Sequence, residues 1–340
     1  MSRGLLRSLV DEAEVSVPRI DVRVRRKSAL DSTIDNGATW RQLRFLARVF
    51  DKTREGRFRD AFLIGLDFLF VAEHAHGGWP QIHPLQRDYS RHITFNDGAT
   101  INVARLLRDI ATGPEFSLGD PPRRARAASA VERTVQMILA TQIRVGERLT
   151  AWCSQHDEVS FEPRPARSYE PVSLSRMESV EILQFLMSIR DPSAAIVAAV
   201  DQGSDWLGSV RLQGIRVERV PAPSRTPDFD LVVVDDPAAP PLWARFYEIG
   251  TNRPMFLGRD GVVKYSLGEI EHERRTGYSW LGPYAADLLS RDYPAWKART
   301  ERRRTPPPTS EASPTSEASP TSEASPIVIP LRPEESLCVT

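Results

Sequence analysis

One segment, residues 31–106, constrains the chain most, because two acid–amide pairs each stand directly before an amphipathic helical pattern. The first pair is Asp35-Asn36 and the second is Asn96-Asp97, and a glycine follows each of them. Asp and Asn before a helix often cap its free amide groups. Two such pairs on neighbouring helices also suit a shared oxygen site for a hard cation such as calcium. The residues alone leave both interpretations open.

Apolar residues recur at helical spacing along most of the chain, which predicts a series of amphipathic helices. Polar, proline-rich loops separate these helices, as is typical of helical hairpins packed in a ring or bundle. Residues 211–265 instead carry short β-branched and alternating runs, which predict a few strands. The helical patterns cover residues 40–50, 58–69, 103–107, 131–139, 180–187 and 196–207.

The composition excludes several classes of protein. The chain has 340 residues, 41% of them hydrophobic, which is enough for a sizeable core. Lys+Arg and Asp+Glu both total 45, so there is no basic excess of the kind that nucleic-acid binders show. No apolar run approaches the roughly 20 residues of a membrane span, and charged residues interrupt the N-terminus where a secretory signal would be apolar. We therefore expect neither a nucleic-acid partner nor a membrane.

The chain divides by pattern into three regions. Residues 1–30 are charged and weakly patterned, which predicts an N-terminal arm, and residues 31–297 form the predicted folded domain. Residues 298–340 begin with a basic, proline-rich break and contain TSEASP three times in tandem, from Thr309 to Pro326. That repeat lacks large apolar residues, so it predicts a flexible tail. Cys153 and Cys338 lie too far apart in sequence to indicate a disulfide or a zinc site.

Three arginines stand in settings that suit the capture of carboxylates. Arg167, Arg245 and Arg259 are each flanked by aromatic, glycine or acidic residues. A guanidinium group binds a carboxylate through two parallel hydrogen bonds, and in this sequence the partner is either a structural acid or an acidic substrate. Both interpretations stay open.

Other candidates lie between and after the two pairs. Trp79, in a Gly-Gly-Trp-Pro run, either stacks on a sugar ring or fills the core. Asp157 is a third candidate oxygen ligand, whereas the spacing of the histidines indicates no metal site.

Several motifs in one order resemble the pectate lyases of polysaccharide lyase family ten. They run from residue 31 to about residue 296 and include TIDNGATWRQLRFLARVF, GGWPQIHPL, HITFNDGA, WCSQHD, ARSYEP, ESVEILQFLM, WARFYEIGTNRPMF, GRDGVVKY and YSWLGPY. The resemblance implies a mainly α fold, an α/α toroid (an incomplete (α/α)3-type barrel) of helical hairpins with a small β-containing region. It also implies calcium-dependent cleavage of polygalacturonate by β-elimination, with oligogalacturonides as partners.

The resemblance implies roles for individual residues as well. A base removes the C5 proton of the uronate, while calcium and guanidinium groups stabilise the charge on its carboxylate. An arginine base would need neighbouring cations and burial to lower its pKa. The implied roles are calcium binding by Asp35 and Asp97 with help from Asn36, proton removal by Arg167, and substrate binding by Arg245 and Arg259. Trp79 is a further candidate for substrate binding, from its place in the Gly-Gly-Trp-Pro run.

The sequence departs from the family pattern at two places. It lacks a family segment before the DNGAT motif with its own Gly-Gly-Trp-Pro-Lys turn, and Arg176 and Met177 stand where small residues are expected. A truncated, non-catalytic oligogalacturonate-binding relative is therefore an alternative. Another is a glycoside hydrolase on an α/α toroid that uses two acids. By resemblance we expect a monomer that is secreted or periplasmic, although the chain as given shows no signal peptide.

Overall fold

The computed structural model describes residues 32–304, except residues 114, 115 and 117. The chain divides into two units, residues 1–298 and 299–340, and only residues 299–304 of the second are described. The predicted arm at residues 1–30 and nearly all of the predicted tail lie outside the described residues. Their boundaries stay predictions.

Helices dominate the first unit, at the positions that the apolar periodicity predicts. No helix within the described ranges is long and apolar enough to cross a membrane. We number the helices α1 (Trp40–Thr53), α2 (Gly56–Ala72), α3 (Ala99–Thr112), α4 (Pro121–Thr141), α5 (Arg176–Met187), α6 (Ala194–Ser209), α7 (His272–Gly277) and α8 (Tyr293–Arg304).

The first six helices pack as three hairpins: α1 with α2, α3 with α4, and α5 with α6. The first helix of each hairpin contacts the first helix of the next, so α1, α3 and α5 form one layer. In the same way α2, α4 and α6 form the second layer. The predicted arrangement of helical hairpins is confirmed.

Local signals set the ends of these helices. The Asp120 side chain accepts a hydrogen bond from the Arg123 amide, and Pro121 occupies the first turn of α4, where it loses no helical hydrogen bond. Ser193 caps α6 in the same way, through the amide of Ile196. Each cap satisfies a first-turn amide that would otherwise lack a partner.

Short strands accompany the helices. The strand that precedes each hairpin, at residues 32–33, 93–94 and 174–175, pairs antiparallel with a strand later in the chain, at residues 82–83, 155–156 and 246–247 respectively. The described strands are β1 (Ser32–Thr33), β2 (Ile82–His83), β3 (Ile93–Thr94), β4 (Arg144–Val145), β5 (Arg148–Leu149), β6 (Gln155–His156), β7 (Leu174–Ser175), β8 (Ile215–Pro221), β9 (Phe229–Asp235), β10 (Trp243–Ala244), β11 (Phe246–Tyr247), β12 (Pro254–Leu257), β13 (Val263–Lys264) and β14 (Leu281–Gly282).

Three buried apolar clusters hold this framework together. One lies among the first two hairpins and includes Leu66 and Leu106. The largest lies between the second and third hairpins and contains Trp152 and Trp243. The third lies under β11 and β12 and includes Trp280. Strands β3, β7, β10, β11 and β12 contribute buried residues to these clusters, so the loops next to those strands are anchored to the core.

Candidate active site

The two acid–amide pairs form turns with the same backbone conformation. The first turn is Asp35–Gly37 and the second turn is Asn96–Gly98. The middle residue is left-handed in both, at φ 53° for Asn36 and φ 51° for Asp97. Within each turn the asparagine Nδ2 donates to the aspartate Oδ2, at 3.0 Å in the first turn and 2.8 Å in the second. Because Asn and Asp tolerate the left-handed region, the sequence permits this repeated geometry.

The two turns lie next to each other, and the strands around them fix their positions. Gln81, just before β2, donates from Nε2 to Oδ2 of Asp35 at 2.8 Å. In the second turn, the amides of Phe95 and Asn96 both donate to the Ser154 carbonyl. Burial and the negative charge of Asp97 raise the pKa of Asp35, although hydrogen bonds from Asn36 and Gln81 oppose that shift. Asp35 and Asp97 therefore repel each other across the turns.

Neither pair caps the helix that follows it. α1 begins after Thr39 and α3 begins after Gly98, and no side chain caps the first turn of either helix. The capping interpretation of the sequence is thus wrong at both turns. Their carboxylates remain available for another use.

Arg245 forms a buried ion pair behind the second turn. Its Nη2 lies 3.5 Å from Oε1 of Glu178 and donates to Oδ1 of Asn96 at 3.3 Å. The pairing of β7 with β11 brings these groups together, because α5 begins directly after β7. Arg245 is only 6% exposed, and its Nε has no hydrogen-bond partner among the described residues. That unpaired donor is itself buried, and the guanidinium places a positive charge close to Asp97.

Arg167 lies in a second group that Tyr278 connects to Arg245. Its Nε donates to Oε2 of Glu170 at 2.8 Å, and the Tyr278 hydroxyl donates to Oε1 of Glu170 at 2.9 Å. The Arg245 guanidinium lies 4.4 Å from the centre of the Tyr278 ring. Hydrogen bonding to Glu170 raises the pKa of Arg167. The lowered pKa that an arginine base would need is therefore not present at Arg167 while it is paired with Glu170.

Arg259 is the most exposed of the three predicted arginines. Its guanidinium forms two hydrogen bonds with Glu273, at 3.0 and 2.9 Å, and its side chain is 62% exposed. It couples electrostatically to Tyr169, whose ring also lies 4.9 Å from the Arg167 guanidinium. The predicted role of Arg259 in substrate binding stays a prediction.

Trp79 exposes no ring face on which a sugar could stack. Its side chain is fully buried in the first apolar cluster, and its indole N–H donates to the Leu69 carbonyl at 2.8 Å. The adjacent Gly77 has φ +94°, and a side chain there would lie 2.7 Å from the Arg133 backbone. The Gly-Gly-Trp-Pro run therefore allows the backbone at Gly77 to approach the backbone of Arg133 closely. The prediction that Trp79 stacks on substrate is wrong, because sequence spacing does not reveal which way an indole points.

The donor set between the turns fits a hard cation. Asp35 and Asp97 offer carboxylates, and Asn36 adds an exposed amide to the first turn. Glu181 of α5 faces the second turn, and its Oε2 is buried without a hydrogen-bond partner among the described residues. Buried polar atoms without partners are rare in native proteins and point to a missing ion or water. Oxygen ligands of this kind match calcium, which takes six to eight oxygens.

A second acidic group lies on the loop after β6. Among the described residues, His92, Asp157 and Glu158 are the group whose potential ligand atoms all lie within 4.8 Å of one another. Arg91 and His92 both contact Glu158, and Arg164 contacts Asp157. The sequence left Asp157 open as a third oxygen ligand beside Asp35 and Asp97. The structure places it in this second acidic group instead. The pairing of β3 with β6 brings His92 to these acids, which no spacing in the sequence could reveal.

Sequence reasoning missed four residues of the site. Glu170 was visible as an acid three residues after Arg167, and Glu178 and Glu181 share a helical spacing of three. Tyr278 gave no local signal, because only the tertiary fold brings it to Glu170.

Comparison with known proteins defines the class. A family model described as pectic acid lyase matches residues 12–289. The Family 10 polysaccharide lyase from Cellvibrio cellulosa is 34% identical, with a TM-score of 0.71, and the match covers 79% of this chain and 82% of that one. A mutant of that lyase in complex with trigalacturonic acid is also 34% identical, with a TM-score of 0.69 over 76% of this chain and 80% of that chain. A search of curated proteins found no match.

These matches and the helical toroid identify an enzyme of the polysaccharide lyase class. The chain belongs to the pectic acid lyase family. The predicted fold class, family and enzyme class are confirmed. The glycoside hydrolase alternative loses its support, because family membership accounts for the fold, the order of motifs and the site together.

Proposed function

We propose that this chain is a calcium-dependent pectate lyase that cleaves polygalacturonate by β-elimination. The observation that carries the proposal is the position of Asp35 and Asp97 on two adjacent turns of the same backbone conformation. The Arg245 guanidinium lies beside the second turn. The relative bound to trigalacturonic acid supports oligogalacturonide as the substrate class. We extend the proposal to a secreted or periplasmic monomer on the family resemblance alone.

The site residues divide the work of the reaction. Asp35 and Asp97, with the Asn36 amide, would hold the cation. Calcium bound there supplies positive charge to the substrate carboxylate and to the charge that develops on it. Arg245 would add positive charge beside the substrate carboxylate from its buried position, where a charge-assisted hydrogen bond is strong. Arg259 contacts a uronate farther out, in exchange for part of its bond with Glu273.

The elimination balances without an oxidant or reductant. The C5–H bond breaks and its proton passes to the base, and the electron pair forms the C4–C5 double bond. The C4–O4 bond breaks, and the departing oxygen takes a proton. The products are a chain with a new hydroxyl end and a 4,5-unsaturated uronate.

Arg167 is the proposed base. Glu170 holds its guanidinium protonated in the free enzyme, because their hydrogen bonds raise the Arg167 pKa. Arg167 must therefore leave that contact and lose a proton to solvent before its neutral side chain can accept the C5 proton. The Tyr278 hydroxyl, which already donates to Glu170, is placed to compensate the carboxylate when Arg167 leaves it.

The activity is tested by the ultraviolet absorbance of the unsaturated product on polygalacturonate. We expect absorbance to rise with calcium and to stay flat with a chelator. Calorimetry with oligogalacturonate runs in parallel. Binding without product at high enzyme concentration would contradict the proposal and identify the non-catalytic relative.

Replacing Arg167 tests its role in the chemistry. Arg167→Ala should lower kcat by about 10²- to 10⁴-fold, the usual contribution of a general base, while oligogalacturonate affinity changes little. Arg259→Ala is the matched control at an exposed arginine, and it should mainly raise KM. If Arg167→Ala weakens binding as much as turnover, Arg167 binds substrate and another group removes the proton.

A further inference from the structure

Glu181 carries a buried oxygen that the rest of the fold does not use. It lies on α5, three residues after Glu178, so the two acids share one helix face. Its Oε2 is buried and has no hydrogen-bond partner within the described part of the chain. Glu178, in contrast, pairs with Arg245.

Gly98 makes room for this oxygen at the second turn. An ideal Cβ on Gly98 would lie 2.3 Å from Oε2 of Glu181 and 2.6 Å from Nδ2 of Asn102. Any side chain at position 98 would therefore displace the carboxylate. Gly98 also has φ +69°, which favours glycine by itself. The missing side chain lets a carboxylate from α5 reach the backbone next to Asp97.

The charges around Glu181 are predominantly negative. Asp97 and Glu178 both act on its carboxylate, and Arg105 opposes them. Nη2 of Arg105 donates to the Glu181 backbone carbonyl at 3.4 Å. Burial, with the negative charge of Glu178 and Asp97, raises the pKa of Glu181 to about 7. Oε2 of Glu181 thus lacks a hydrogen bond among the described residues, and the positive charge of Arg105 only partly offsets the negative charges around it.

We propose that Glu181 supplies a further oxygen ligand to the cation held by Asp35 and Asp97, reaching it through the gap at Gly98. The inference rests on the proposed function, since it concerns the same cation. Calcium binds to oxygens from several elements at once, and flexible carboxylates suit it. Ligands from the first turn, the second turn and α5 would tie all three hairpins to one ion.

Calcium calorimetry on the metal-free protein, at about pH 8.5, tests the inference without relying on activity. Glu181→Gln should weaken calcium binding by about tenfold or more, the loss typical of removing a metal's supporting group. Glu147→Gln, at an exposed acid in the turn between β4 and β5, is the matched control and should bind as the wild type does. Equal affinity of Glu181→Gln and wild type would overturn the inference and leave the proposed function intact.

A second variant separates ligation from a general electric field. Glu181→Asp keeps the charge but withdraws the carboxylate by one methylene. If Glu181 is a ligand, Glu181→Asp should bind calcium more weakly than the wild type. If Glu181→Asp binds as the wild type does while Glu181→Gln binds more weakly, Glu181 acts through its charge alone and is not a ligand. If the wild type itself binds no calcium, both the proposed function and this inference fail. Thermal melting in chelator confirms that each variant is folded.

Discussion

Two acidic groups on this molecule differ in how far their charges are already paired. The twin-turn cluster is Asp35, Asp97 and Glu181, and the His92 cluster is His92, Asp157 and Glu158. The acids of the His92 cluster are already paired with Arg91 and Arg164, and its ligand atoms lie within 4.8 Å of one another.

The twin-turn cluster has fewer of its charges paired. Among the described residues it does not meet the 4.8 Å spacing, so at least one pair of its ligand atoms lies farther apart. Its acids repel each other, and one buried oxygen has no partner among the described residues. If the proposed function holds, unpaired charge and missing hydrogen bonds mark the cation site better than the closeness of its acids does.

The largest expected effect comes from removing one charge from each cluster. Asp97→Asn should lower the calcium-dependent rate by about 100-fold or more, because metal stabilisation of transition-state charge contributes several kcal/mol. Asp157→Asn should keep the rate within about threefold, since surface substitutions away from a site have small effects. Initial rates on polygalacturonate at saturating calcium measure both. A larger loss from Asp157→Asn would exchange the roles of the two clusters.

A smaller effect concerns stability without metal. The folded pKa of Glu181, about 7, lies above its usual 4.5. The folded state thus keeps a proton that the unfolded state loses, and stability falls as pH rises from 4.5 through 7. Glu181→Gln should remove this loss, which stabilises the metal-free protein by on the order of 2 kcal/mol near pH 8 and by little near pH 4. Urea unfolding in chelator measures the difference, and an equal gain at both pH values would contradict it.

The smallest effect has the opposite sign of pH dependence. Hydrogen bonds from the Ser160 and Val159 amides and the contact with Arg164 lower the pKa of Asp157 to about 2. Its stabilisation is present above the unfolded pKa of 3.8 and is lost as pH falls through about 2. Asp157→Asn should cost about 1 kcal/mol near neutral pH, the usual net value of a lost hydrogen bond, and the cost should shrink in acid. A deficit that does not change with pH would show that the charge of Asp157 is irrelevant.

Features that depend on residues close together in the sequence could be predicted. The helices follow from the spacing of apolar residues, and the Asp35-Asn36 and Asn96-Asp97 pairs identified both turns. Each of these features depends on neighbours within a few residues. The family resemblance added the lyase class, which the comparisons confirm.

Tertiary packing decided what the sequence could not. Trp79 faces the core because the Gly77 backbone meets α4. Arg167, for which the sequence left a structural ion pair and a substrate role open, is paired with Glu170. Arg176, noted for its size, is fully buried, and its guanidinium lies 3.2 Å from the centre of the Tyr284 ring. Side-chain direction and pKa depend on residues that are distant in sequence, so local patterns do not determine them.

A crystal soaked in calcium, with its anomalous difference map, tests the central claim most directly. We predict a peak between the first turn and the second turn, in contact with carboxylate oxygens of Asp35 and Asp97. A peak at the His92 cluster, with none at the turns, would contradict the account.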